Sequence, residues 1–145
     1  MSPRPVPSAG SRGSVLMLMP AAIVIVLLLG AIAVDSAIVY LEQRQAYNVA
    51  FDAANDAAGA GIDRDLLRTT GELVYDPGRV ESLAAAAVEA SEVDGLALVA
   101  ARPDGDGVAV TVEVRVQRLF GQAFGGPSSE MLRLTARASG EVRVP

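Results

Sequence analysis

Val15–Val34 reads VLMLMPAAIVIVLLLGAIAV, 20 consecutive residues without a charge. At about 1.5 Å of rise per residue, a helix of that length reaches roughly 30 Å, the thickness of a bilayer hydrocarbon core. A core helix of a soluble protein would carry polar residues on one face, and this stretch carries none. The reading is therefore a membrane span bounded by Val15 and Val34. Within it, Pro20 interrupts the hydrogen-bond ladder near the start, and Gly30 offers a small-residue position.

Working outward, the charges are distributed unevenly. Arg4 and Arg12 are the only charged residues before Asp35, and all 17 acidic residues lie at or after Asp35. The bias towards Arg on the N-terminal side keeps residues 1–13 in the cytoplasm and puts the C-terminal part outside. Three regions follow: a cytoplasmic leader over 1–13, a transmembrane helix with an amphipathic extension over 14–60, and an extracytoplasmic domain over 61–145. The expected localisation is a bacterial cell membrane, single-pass, with membrane lipid as the first partner. The Lys-free, Ala-, Val- and Gly-rich composition points to a GC-rich bacterial genome. Two other readings of the apolar segment stay open. One is a signal peptide cut after Ala31-Ile32-Ala33, which has the small-x-small pattern. The other is a prepilin-like leader with candidate cleavage between Gly13 and Ser14.

No break signal follows Val34. Asp35–Gly59 lacks Pro and is rich in good helix formers, so the helix continues into water and ends at Gly59 and Gly61. Ala37, Tyr40, Tyr47, Phe51, Ala54 and Ala58 recur at helical spacing and define one stripe, which Arg44 interrupts. That stripe either packs on the chain's own sheet or faces a second long helix. Ala33 and Ala37, with Gly30, are spaced for close helix approach. Asp35, at the edge of the apolar run, reads as an interfacial stop rather than an ion site.

The outer part reads as α+β. Residues 62–76 are mixed, with a short helical or extended piece around Leu66–Tyr75. Asp76-Pro77 is an N-cap followed by Pro at the first helical position, opening a helix over 77–91. Leu96–Arg102 is a strand, and Pro103-Asp-Gly-Asp-Gly107 is a turn. Val108, Val110, Val112, Val114 and Val116 alternate with more polar residues as a half-buried strand. Leu119–Glu130 is a loop in which Phe120 and Phe124 either close the open end of the core or meet a partner. Leu132, Leu134, Ala136 and Ala138 alternate as a third strand. The expected fold is thus a long N-terminal transmembrane helix extending into an outer domain, with a short helix and a three-stranded antiparallel sheet, a pilin-like arrangement.

The chemistry available is narrow. The chain has no Cys and no His, and all its basic residues are Arg. That removes His acid–base catalysis, a Cys nucleophile, an ordinary zinc site, Schiff-base chemistry and a P-loop. Asp104 and Asp106 form only a fragment of a calcium loop, and Asp52 and Asp56 read as a solvated helix face. No basic patch points to nucleic acid. The expectation is a non-enzymatic protein with no cofactor, no metal, no nucleic acid and no small-molecule substrate.

Arg12-Gly-Ser-Val, the apolar run, Val34-Asp35, Tyr40-Leu41, Arg44-Gln45 and Asp52-Ala-Ala-Asn-Asp-Ala-Ala58 occur in an order and spacing that resemble the N-terminal part of TadE/TadG-like proteins. These belong to the Flp pilus, or tight-adherence (Tad), assembly machinery. The match covers about residues 12–60, and the C-terminal strands with the Phe-Gly loop also resemble the small outer domain of TadE-like members. The resemblance implies a minor-pilin-like or accessory protein of a pilus or secretion apparatus, whose partners are other pilins or assembly proteins. The candidate helix contacts are Ala33, Ala37, Tyr40, Tyr47, Phe51 and Ala54. Counting from Ser14, the fifth position, usually Glu in processed prepilins, is Leu18, and Met19 replaces the usual aromatic residue; both favour an uncleaved anchor. The alternative from another class is a membrane-tethered module binding an envelope or cell-wall ligand.

Overall fold

A computed structural model describes residues 12–139. The leader read over residues 1–13 lies outside the described residues as far as position 11, and so do the last six residues of the outer domain. The order of elements is α1 (Arg12–Ala60), α2 (Arg64–Thr70), α3 (Pro77–Glu89), β1 (Leu96–Asp104), β2 (Gly107–Gln117), a single 3-10 turn (Gly121–Phe124) and β3 (Ser129–Ser139). The α+β architecture expected from the sequence is present, and the piece read as helical or extended around Leu66–Tyr75 is helical over Arg64–Thr70. Helix α2 occupies part of the stretch read as mixed.

Helix α1 is continuous for 49 residues and runs through Pro20. It begins at Arg12, two residues before the expected start. Its end is sharp: the Gly61 N–H donates to the Ala57 carbonyl at 2.8 Å. A Cβ at Gly61 would collide with that carbonyl and lie 2.7 Å from Val80 Cγ2, so only glycine lets α3 approach the helix end.

Residues 61–76 fold back on themselves. Asp63 caps α2 by accepting from the N–H groups of Asp65 and Leu66. Asp63 N–H donates to Val74 O and Asp76 N–H to Gly61 O, so both ends of the excursion are tied together. Asp76 then caps α3 by accepting from Gly78 and Arg79, with Pro77 at the first position as the sequence indicated. Helix α3 stops at Glu89 rather than residue 91, and Val80, Ala84 and Val88 form its buried stripe.

The sheet is antiparallel and three-stranded, in the order β1-β2-β3. The first hairpin closes through Gly105 and Asp106, with Asp104 paired to Gly107. Gly105 takes φ +64 and no non-glycine residue among the described residues has positive φ, which is the type II′ pattern suited to the twist of paired strands. The turn is therefore shorter than the five-residue Pro103–Gly107 expectation, and Pro103 sits on an edge strand, where its missing N–H costs no ladder bond. A register shift between Leu98 and Ala100 leaves Val99 exposed. Strands β2 and β3 pair without interruption from Gly107↔Ser139 to Gln117↔Ser129.

The outer half of α1 and helix α3 cover one face of this sheet. Val108, Val110, Val112, Val114 and Val116 point into the layer and are each at most 1% exposed. Facing them are Ala46, Ala50, Ala53, Ala54, Ala57 and Ala58, also at most 1% exposed. An alanine face lets the helix axis come close to the sheet, and the branched valines fill the space between. The opposite sheet face is polar: Thr111 bonds Thr135, Glu113 pairs with Arg133, and Asp104 pairs with Arg137. Strand β2 descends along α1, so Val114 and Val116 cluster with Ala46, Ile38 and Val39 at the end nearer the apolar segment.

Gly107 offers a direct test of this close pairing. A Cβ there would overlap the Ala138 carbonyl oxygen and lie 3.0 Å from its carbon. The obstacle is backbone, which cannot swing aside. Gly107→Ala is expected to destabilise the outer domain by about 2 kcal/mol or more, read as a drop in thermal midpoint of the detergent-solubilised chain. An unchanged midpoint would mean that β3 yields at its C-terminal end.

Candidate functional site

Two features of α1 are left over once the core is assembled. The first is a flank of the helix beside the core face. Ala33 and Ala37 are exposed, followed by Tyr40, Tyr47 and Phe51 at 63%, 45% and 41% exposure. At helical spacing these residues follow one side of the cylinder from the apolar segment into the outer half. Tyr47 and Phe51 stack on each other, with ring centroids 6.4 Å apart and planes 16° apart. Such a pair presents one rigid apolar surface at little further cost in side-chain entropy.

The structure therefore divides the stripe read from the sequence. Ala54 and Ala58 are in the chain's own core, at 0% and 1% exposure. Ala54 is thereby corrected as a candidate contact residue, because it is already covered by the sheet and α3. Tyr40, Tyr47 and Phe51 point away from that core. The side that packs on the sheet carries alanines, and the side that carries aromatics is open.

Of the residues read as the span, Val15, Pro20, Gly30 and Val34 all lie within α1, and so do Gly13 and Ser14. A Cβ built on Gly30 meets nothing within 4 Å, so no packing within the chain requires glycine there. The most apolar 18-residue window of this helix has a mean hydropathy of 2.7, and only 6% of it is buried within the chain. A helix near the N-terminus that is long and apolar enough to cross a membrane is therefore present.

The second feature joins α1 to the loop after β2. The Asp35 carboxylate accepts the Phe120 N–H at 3.0 and 3.3 Å, across 85 residues of sequence. Next to it, Ser36 Oγ donates to the Ile32 carbonyl at 2.8 Å, satisfying its hydroxyl within the helix. A groove of about 440 Å³ opens between helix and loop, with Asp35, Tyr40, Gln43 and Arg118 among its walls. Arg118 is held by an ion pair with Glu130. The sequence placed Asp35 at the edge of the apolar run but gave no sign of the contact with Phe120. Phe120 does not close the core, as one reading had it; it is 39% exposed and lies beside the apolar part of α1.

Among the described residues no group of three or more His, Cys, Asp or Glu side chains is arranged to hold a metal. Compared with known proteins, the chain matches no family model, no curated protein and no solved structure.

Proposed function

We propose that the chain is a membrane-anchored, minor-pilin-like or accessory component of a bacterial Flp/Tad-type pilus assembly or secretion apparatus, acting through helix packing rather than catalysis. The apolar half of α1 crosses the cell membrane with its N-terminus in the cytoplasm, and the outer domain stands on the extracytoplasmic side. The carrying observation is the open flank Ala33–Ala37–Tyr40–Tyr47–Phe51. It runs from the apolar segment into the outer half, crossed once by the exposed Arg44, and the chain's own core leaves it uncovered. Small residues at the membrane level and aromatics above it suit lateral packing against the long helix of a pilin or assembly protein. The ordered motifs from Arg12 to Ala58 that resemble TadE/TadG-like proteins support the same assignment, as does the hydropathy of the helix.

The test is the double variant Tyr47→Ser, Phe51→Ser. Both side chains are largely outside the core, so the fold and the membrane-bound amount should stay near wild type. Surface filaments on the native host, counted by electron microscopy, should fall to background. Normal filament numbers at normal protein level would remove this flank as the partner contact.

A further inference from the structure

Leu119 and Phe120 are large apolar residues at the start of the loop that leaves β2, and they are 69% and 39% exposed. Their position along α1 is what gives this exposure meaning. Phe120 is pinned at Asp35, the first acidic residue after the apolar run. It borders an apolar groove of about 670 Å³ whose other walls include Val24, Leu27, Leu28, Ala31 and Val34. Ala31 lies one helical turn before Asp35, about 6 Å further along the axis towards the N-terminus.

The loop is also folded back on its own backbone and on α1. Phe120 N–H goes to Asp35. Ala123 N–H goes to Phe120 O at 3.0 Å, Gly125 N–H to Gln122 O at 3.2 Å and Gly126 N–H to Gly121 O at 2.8 Å. Arg118 N–H goes to Ser128 O at 2.9 Å, closing the loop at its base. Each of these internal bonds lowers the cost of holding the loop at the edge of hydrocarbon. Gly121 permits the tight fold: a Cβ there would press on the Pro127 carbonyl oxygen at 2.6 Å.

We infer that the Leu119–Phe120 pair is a second membrane anchor, seated in the lipid of the outer leaflet beside the emerging α1 helix. The occupant of the apolar groove is then the upper acyl chain and glycerol region of a phospholipid, with Arg118 at headgroup level. Aromatic and long aliphatic residues beside an Arg are the side chains that favour this boundary. The inference rests on α1 spanning the bilayer as proposed above. It adds that the outer domain is fixed to the membrane at two points.

The chain contains no Trp, so single Trp substitutions report position directly. The full chain is reconstituted in phosphatidylcholine vesicles whose acyl chains are brominated either near the glycerol end or near the chain terminus. Ile25→Trp, in the middle of the span, should be quenched most by the deep bromines. Leu119→Trp should be quenched at least about twofold by the shallow bromines and less by the deep ones. Tyr47→Trp, well above the apolar run, should be unaffected by either. Phe120→Trp is the second loop variant, used if Leu119→Trp disturbs the fold. Quenching of Ile25→Trp with both loop variants as unquenched as Tyr47→Trp would overturn the loop anchor and leave the span intact. Absence of quenching at Ile25→Trp as well would overturn the span, and the loop proposal with it.

Discussion

An Ala50→Asp chain is expected to lose its folded outer domain. Ala50 is 0% exposed on the face of α1 that covers the sheet, among Ala53, Ala54, Val110 and Val112. No polar or charged residue is buried among the described residues, so a carboxylate there would find no established partner. An unpaired buried charge costs several kcal/mol even after the group shifts towards its neutral form, and the neutral acid still lacks a hydrogen-bond partner. A three-stranded sheet with two covering helices has little stability in reserve. The loss should be about 4 kcal/mol or more, which few single substitutions reach. Limited proteolysis would show it as disappearance of the protected fragment covering α3 and the strands. Asn48→Asp, exposed two residues away on the same helix, is the matched control and should leave protection unchanged. Equal protection of both variants would show that α1 does not close this core.

Replacing Leu27 and Leu28 together by Arg should remove the chain from the membrane. Each arginine near the centre of a span costs about 2.5–3.5 kcal/mol on insertion scales, so the pair costs about 5–7 kcal/mol. Leu27 is 68% exposed and the surrounding window is almost wholly unburied, so no internal contact would absorb the charges. The measurement is extraction with alkaline carbonate: wild type should stay in the pellet and the variant should leave it. A double variant that stays in the pellet would defeat the spanning assignment. The intact mass of the wild-type chain adds a separate distinction. A mature form that begins near Val34 would turn the apolar segment into a cleaved signal peptide, and one that retains Ser14 keeps it as an anchor.

The parts of the fold with strong local contrast are legible in the sequence. Val108 to Val116 alternate so strictly with polar neighbours that the buried face of β2 follows residue by residue. Asp76-Pro77 marks the start of α3 because the Asp carboxylate and the Pro ring suit successive positions at a helix entrance. The inward face of α1 was not legible in the same way. Six alanines carry less hydrophobic contrast than one Tyr–Phe pair, so the apolar periodicity of α1 peaks at Tyr47 and Phe51. The sheet instead selects residues small enough for the helix axis to approach a wall of valines. That choice is set by the tertiary distance between layers, which no window of α1 encodes. The Asp35–Phe120 bond was hidden for a related reason: it closes a separation of 85 residues and depends on the direction in which β2 runs. The one local hint was an apolar Leu-Phe pair at the head of a loop that also carries three Gly and a Pro.

Helix α1 contains no break between its apolar half and the half that forms a layer of the outer domain. With the apolar half in the bilayer as proposed, the chain would have no joint at the water boundary, and the two halves would turn together. Outer residues 35–60 extend about 39 Å along the axis at 1.5 Å per residue. A tilt of about 20°, ordinary for a helix in a bilayer, would sweep the far end of that arm sideways by roughly 13 Å. Local thinning or thickening of the bilayer would thereby be converted into a lateral displacement of the sheet. The protein would work as a rigid lever, with its fulcrum where the helix leaves the lipid.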